Sequence, residues 1–306
     1  MPPPLSGLIP ACHTPFDRSG ELDVSVVPRQ VELFRECGMN AVFVAGTTGE
    51  FSSLTRDERM ALCDRWMREA GDSMAIAVHV GHNCQAEAIA LAKHARKSGA
   101  AAVAAVAPSY IKPAGVADLV DFMTPIAAAA DPLPFYYYEI PGMTNVRIPA
   151  ARFLVEGRAK IPTLRGLKYS HNDLVELQEC LAASGGEFEV VFGFDEFLLA
   201  GLAMGVNGAV GSTYNFAGPH YRKIMTAFES GDHATARSAQ HRAARMIEVL
   251  SRYGFMTASK ATMRLIGIDC GPVRAPLRNL SPGELTNLAR ELAPFEMFAR
   301  PIQIPE

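Results

Sequence analysis

Short apolar runs alternate along this chain with longer amphipathic stretches, a pattern that predicts parallel βα units. The runs fall at 7–12, 41–44, 75–80, 101–106, 134–138, 164–169, 190–192 and 208–210. Between them apolar positions recur at helical spacing, for example over 24–37, 85–97 and 173–183. Thr55 reads as an N-cap, with Glu58 three places on completing a capping box. Eight such units within 7–210 predict a (β/α)8 TIM barrel, because edge strands vanish when the eighth pairs with the first. An open doubly wound sheet is the alternative, but no G-x-G-x-x-G follows any strand-like run. From about 221 the pattern is purely helical, at 221–230, 234–252, 260–266 and 282–298. We therefore expect a barrel over 1–220 and a C-terminal helical extension over 221–306 packed on it.

Composition narrows the function classes. At 306 residues, with 49% hydrophobic and 20% charged positions, the chain can bury a large core and still be one α/β barrel. A net charge of −3 offers no basic stripe, which argues against nucleic acid as a partner. The most apolar window, 100–108, is far shorter than the roughly 20 residues a membrane span needs. The N-terminus lacks the basic and apolar regions of a secretory signal. The six cysteines, at 12, 37, 63, 84, 180 and 270, form no C-x-x-C pair. They read as free thiols in a reducing compartment, the cytosol by default.

Barrel chemistry sits at the C-terminal ends of the strands, and distinctive polar residues collect there. Lys168 sits near the end of a short apolar run, L-R-G-L-K-Y-S, with Gly166 before it and Tyr169–Ser170 after it. A lysine amine ordinarily titrates near about 10.4. Burial in an apolar site favours the free amine, which can attack a ketone and form a Schiff base. The bland alternative is a lysine that snorkels to water or pairs with a carboxylate. After the second run, G-T-T-G-E at 46–50 offers glycines for close backbone approach, with the hydroxyls of Thr47 and Thr48. That suits a small carboxylate, or simply a capped helix start. In Y-Y-Y-E-I-P, strand alternation puts Tyr136 and Tyr138 on one face and Tyr137 on the other. Tyr138, the last before the exit, is a candidate proton shuttle facing Lys168. G-F-D-E places Asp195 and Glu196 at a strand-to-helix turn, where acids often only favour the helix dipole. G-S-T-Y-N follows the eighth run. His79 and His82 form an H-x-x-H, read as structural because no third ligand is evident.

G-T-T-G-E, Y-x-I-P and G-L-K-x-S, in that order, resemble the motif set of the dihydrodipicolinate synthase/N-acetylneuraminate lyase superfamily, pyruvate-handling class I aldolases. The resemblance covers nearly the whole chain. The later segments L-P-F-Y-Y-Y-E-I-P, V-F-G-F-D-E and G-A-V-G-S-T-Y-N look most like its lyase branch. It implies that Lys168 forms the Schiff base with pyruvate and that Tyr138 moves the aldol proton. Thr47 and Thr48 would hold the keto acid carboxylate. Ser170, Gly193, Asp195, Glu196 and Ser212 match positions that bind the sugar chain. Tyr110 matches a tyrosine that in many members reaches the neighbouring subunit's site, which implies a homotetramer, a dimer of dimers. No cofactor or metal is implied, since the iminium is the electron sink. The chain departs from the pattern at Glu139, where asparagine or histidine is common, and at Thr47, a serine in several bacterial lyases.

Charge separates the branches. The synthases carry an arginine two residues after the Y-x-x-P proline to hold a second carboxylate, and here that position is Met143. Asp195 and Glu196 accept hydroxyl hydrogen bonds and repel an anionic tail. The expectation is reversible cleavage of N-acetylneuraminate to N-acetylmannosamine and pyruvate. The competitors are dihydrodipicolinate synthesis or another pyruvate-dependent aldolase acting on a keto-deoxy sugar acid. A non-catalytic ligand sensor is a further alternative, disfavoured because a sensor needs no nucleophile.

Overall fold

The structure is a computed structural model that describes residues 5–305. Positions 1–4, weighed above as part of a possible leader, lie outside the described residues. Eight parallel strands form the sheet: β1 (Gly7–Pro10), β2 (Ala41–Val44), β3 (Ala75–His79), β4 (Ala102–Val106), β5 (Phe135–Glu139), β6 (Leu164–Tyr169), β7 (Glu189–Phe192) and β8 (Gly208–Gly211). Their order, β1-β8-β7-β6-β5-β4-β3-β2, pairs the eighth with the first. The ring closes through a bridge between Ala11 and Phe43, where the Cys12 N–H donates to the Phe43 carbonyl at 2.9 Å. This is the expected TIM barrel, with helices between the strands.

Alternation along each strand sorts side chains into two cores. Facing outward, Val42, Val44, Val103, Tyr137, Leu167 and Tyr169 belong to the large layer shared with the helices. Facing inward, Ile9, Phe43, Tyr136, Tyr138, Val191 and Val210 fill the barrel with a set of alanines. Ala77, Ala102 and Ala104 on β3 and β4 are the small neighbours of the β5 tyrosines, and Ala104 pairs with Tyr136 in register. The helix Arg56–Ala70 starts at Thr55 with the predicted capping box, worth about 1 kcal/mol.

One irregularity sets the site. Between β5 and β6 the register runs Phe135–Leu164 and then Tyr136–Gly166, so Arg165 is an extra residue, a β-bulge. Beyond it Tyr138 pairs with Lys168, and both point into the barrel. Gly166 is required there, because an added Cβ would lie 1.7 Å from the Glu189 carbonyl oxygen of β7.

The C-terminal helices are Tyr214–Glu229, His233–Arg252, Phe255–Leu265 and Pro282–Leu292. The first follows β8 directly and runs through position 220, so the helical pattern at 221–230 is its second part. The third starts earlier than the expected 260, right after Gly254 in a left-handed conformation (φ 82°). The last ends at Leu292 and tightens into a 3-10 turn at Pro294, which has no N–H to continue the ladder.

Candidate active site

Lys168 and Tyr138 meet because they are register partners at the C-terminal ends of adjacent strands. The lysine is only 4% exposed. Its Nζ lies 3.8 Å from the centroid of the Tyr138 ring and 4.4 Å from that of Phe43. The amine therefore stands on an aromatic floor rather than in a carboxylate clasp. Of the three tyrosines in β5, two are committed elsewhere. Tyr136 donates to Glu189 Oε2 at 2.5 Å, and Tyr137 lies buried beside Glu139. Burial, reinforced by those carboxylates, raises both phenols above their ordinary pKa. The Tyr138 hydroxyl instead meets Thr47 Oγ1 at 3.1 Å inside the cavity.

The loop after β2 carries Thr47 and Thr48 across the barrel mouth. Thr48 Oγ1 lies 2.6 Å from Ser212 Oγ, joining this loop to the one after β8. Both flanks of the turn are non-glycine residues with left-handed backbones, Ala45 and Glu50, each at φ 55°. Such a conformation costs roughly 1–2 kcal/mol per residue. Each flank is held by a buried polar partner. The Ala45 carbonyl lies 3.0 Å from His79 Nδ1. Glu50 pairs with Lys260 at 2.8 Å and accepts the Arg274 N–H at 2.9 Å. Thr14 ties down the Gly49 carbonyl at 2.6 Å.

On another wall, β7 ends at Phe192 and leads through Gly193 and Phe194 into a 3-10 turn over Asp195–Phe197. A Cβ at Gly193 would sit 2.0 Å from Ser170 Oγ, so a larger residue there would drive the Ser170 hydroxyl out of its present position. Asp195 is buried. One of its oxygens accepts the Thr213 N–H at 2.9 Å and the Thr213 hydroxyl at 2.5 Å. Burial nevertheless lifts its carboxyl above the ordinary value. The half-buried Glu196 is pushed up to about 7, first by desolvation and then by Asp195.

These side chains line one cavity of about 470 Å³. Of the expected site residues, Thr47, Thr48, Tyr138, Lys168, Ser170, Gly193, Asp195, Glu196 and Ser212 are all brought to it. Tyr110 is not. It stands on the loop after β4, 87% exposed, beside Ile111 at 82%. The two histidines of the H-x-x-H also separate: His79 is buried in the barrel, and His82 accepts the Cys84 N–H on an exposed loop. The arrangement can perform carbonyl chemistry: a sheltered primary amine, a phenol held by a threonine, hydroxyls for a carboxylate and two acids for a hydroxylated tail.

Residues 4–294 match the dihydrodipicolinate synthetase family. The chain belongs to this family. Among its relatives is N-acetylneuraminate lyase of Homo sapiens, 40% identical over 282 residues, which cover 90% of this chain and 88% of that protein. The Sus scrofa N-acetylneuraminate lyase is 38% identical over 300 residues, 96% of this chain and 94% of the relative. Among solved structures, Proteus mirabilis N-acetylneuraminate lyase superposes with a TM-score of 0.93 at 35% identity, covering 96% of this chain and 99% of that one.

For a member of this family, the distal wall was the part that motif reading missed. Ser251, Phe255 and Met256 reach the cavity from the C-terminal helices, joined by Ile140 and Phe194 and by Met143, the one position of this wall that the sequence singles out. The extension residues sit in ordinary amphipathic helices and carry no local signal. Glu50 was read with the ligand loop. Its carboxylate instead turns away to Lys260, and nearest-motif logic had no means of finding a partner 210 positions along the chain.

Proposed function

We propose that this chain cleaves N-acetylneuraminate reversibly to N-acetylmannosamine and pyruvate. It is a carbon–carbon lyase, a class I pyruvate aldolase. The observation that carries the reading is the buried Lys168–Tyr138 pair in a cavity whose other charged side chains are Asp195 and Glu196. No arginine lines that cavity among the described residues, and Met143 occupies its rim, so the site offers no fixed guanidinium for a second carboxylate. The named relatives and structural neighbours point the same way.

The Lys168 amine adds to the C2 ketone of the open-chain sugar acid, and water leaves to give an iminium. Tyr138 relays the C4 hydroxyl proton as the C3–C4 bond breaks, passing its own phenolic proton to the substrate's carboxylate as it accepts the new one. The electron pair moves into the iminium, leaving an enamine and the free aldehyde. Protonation of the enamine carbon and hydrolysis by water release pyruvate and restore the amine. Thr47 and Thr48 hold the keto acid carboxylate, and the Thr47–Tyr138 hydrogen bond orients the phenol. Ser170, Gly193, Asp195, Glu196 and Ser212 receive the hydroxylated tail. The chemistry needs no cofactor, because the lysine supplies the electron sink.

The exposed pair Tyr110 and Ile111 supports a homotetramer in which Tyr110 enters a neighbouring copy's site. The cysteine pattern supports a cytosolic enzyme, and no helix among the described residues is long and apolar enough to cross a membrane. Borohydride reduction with pyruvate followed by peptide mass analysis tests the nucleophile. The adduct should fall on Lys168 and vanish in Lys168→Arg, and an adduct elsewhere overturns the assignment. Pyruvate release from N-acetylneuraminate, compared with condensation onto aspartate semialdehyde, tests the substrate. If only the condensation proceeds, the lyase reading is wrong.

A further inference from the structure

His79 ends β3 with its side chain wholly buried in the barrel, and the chemistry above does not use it. Its two ring nitrogens meet different groups. Nδ1 lies 3.0 Å from the Ala45 carbonyl oxygen, and Nε2 accepts the Val106 N–H at 3.4 Å. Nδ1 also lies 3.3 Å from Arg59 Nη2, but that nitrogen already donates to the His79 carbonyl at 2.6 Å, so the tautomer that serves both Ala45 and Val106 carries its proton on Nδ1 and donates it to Ala45. Burial holds the ring far below its ordinary pKa, with Arg59 and then Lys168 adding to the effect, so the imidazole is neutral at pH 7.

The surroundings keep the ring in place. Arg59, itself buried, donates to the His79 carbonyl at 2.6 Å and to the Gly81 carbonyl at 2.9 Å. A Cβ at Gly81 would lie 2.7 Å from His79 Nε2, so the chain turns over the ring only with glycine there. The ring packs edge-on against Phe51, with centroids 4.4 Å apart, and against Tyr138 at 5.7 Å and 87°. One side chain thus touches the left-handed residue that launches the Thr47–Thr48 loop and the phenol that meets Thr47.

We propose that His79 is a positioning residue for the aldol cleavage. Its Nδ1–H pins Ala45 in the turn that aims Thr47 and Thr48 at the keto acid, and its ring backs Tyr138 so that the hydroxyl stays on Thr47. The role rests on the Schiff-base reading above.

Three variants separate the contributions. His79→Asn keeps an amide donor near the position of Nδ1, His79→Gln moves it toward Nε2, and His79→Leu keeps bulk without a donor. Borohydride trapping is measured against pyruvate concentration, kcat with N-acetylneuraminate, and folding by circular dichroism. His79→Leu should need about five- to tenfold more pyruvate for half-maximal trapping and lose about as much in kcat, as expected for one lost hydrogen bond and a displaced phenol. At saturating pyruvate it should still label Lys168. His79→Asn should recover most of the pyruvate response, and His79→Gln should not. If His79→Leu does not fold, the comparison of His79→Asn with His79→Gln decides. Equal behaviour of those two, or a folded His79→Leu within twofold of the parent, overturns the positioning role alone. Failure of the parent chain to trap pyruvate overturns the Schiff-base reading, and this role with it.

Discussion

Replacing Lys260 by methionine tests how the C-terminal helices support the ligand loop. The Lys260 and Glu50 side chains are 1% and 2% exposed, and Nζ lies 2.8 Å from Oε1. Lys260→Met keeps the stem that packs near Phe16 but strands the Glu50 carboxylate in the interior. Removing one partner of a buried pair costs roughly 3–5 kcal/mol. Two local features adjust that range. The Arg274 N–H still serves the other Glu50 oxygen at 2.9 Å, which pulls toward the low end. The ammonium also lies 3.9 Å from the Phe16 centroid, and losing that contact adds roughly 1 kcal/mol. The expected loss is about 4 kcal/mol. Neutralising the stranded acid in Glu50→Gln/Lys260→Met should return about 2 kcal/mol or more of it. Trp66, the single tryptophan, is buried and stacks with Phe34, so its fluorescence reports urea unfolding at fixed chain concentration. A single-variant loss under about 1 kcal/mol, or a double variant no more stable than the single one, would refute the reasoning.

Three further outcomes follow from the site. Thr47→Val removes the oxygen that meets Tyr138 and one carboxylate ligand, and should lower kcat about fivefold while Lys168 is still labelled at saturating pyruvate; an unchanged kcat contradicts the phenol's role. Gly193→Ala drives a methyl into Ser170 and should raise KM for the sugar acid while leaving pyruvate trapping at Lys168 alone; equal damage to both would move Ser170 out of the tail-binding wall. Glu139 is held at about 8, mainly by burial, with Glu176 adding to the rise and Tyr137 opposing it. Between its ordinary 4.5 and about 8 the folded chain keeps a proton that the unfolded chain gives up, so stability falls as pH rises through that window. The slope is about 1.4 kcal/mol per pH unit. Glu139→Gln should therefore lose about 2–3 kcal/mol less than the parent between pH 5.5 and pH 7.5 in urea titrations, and identical slopes would refute the assignment.

Much of this was readable from residue types because the barrel rule ties chemistry to strand ends. Lys168 and Tyr138 stood out by lying at the C-terminal ends of their apolar runs, and the alternation of Tyr136, Tyr137 and Tyr138 came out as read. The β5–β6 bulge at Arg165 was not legible, since register depends on which backbone atoms two strands exchange, and no residue spells that out. The role of Glu50 was not legible because its partner lies on a distant helix. Tyr110 could be recognised only by resemblance. Within one chain it does not line the cavity.

The barrel interior divides its cross-section unevenly. Ala77, Ala102 and Ala104 leave room on one flank, and Phe43, Tyr136 and Tyr138 occupy it. The Lys168–Tyr138 corner therefore rests on side-chain volumes set inside the barrel, away from the substrate. Variation among these enzymes should thus be freest at the mouth, where side chains meet solvent. It should be least tolerated at methyl-sized positions that never see a substrate, since one bulkier group there would lever the phenol away from its threonine.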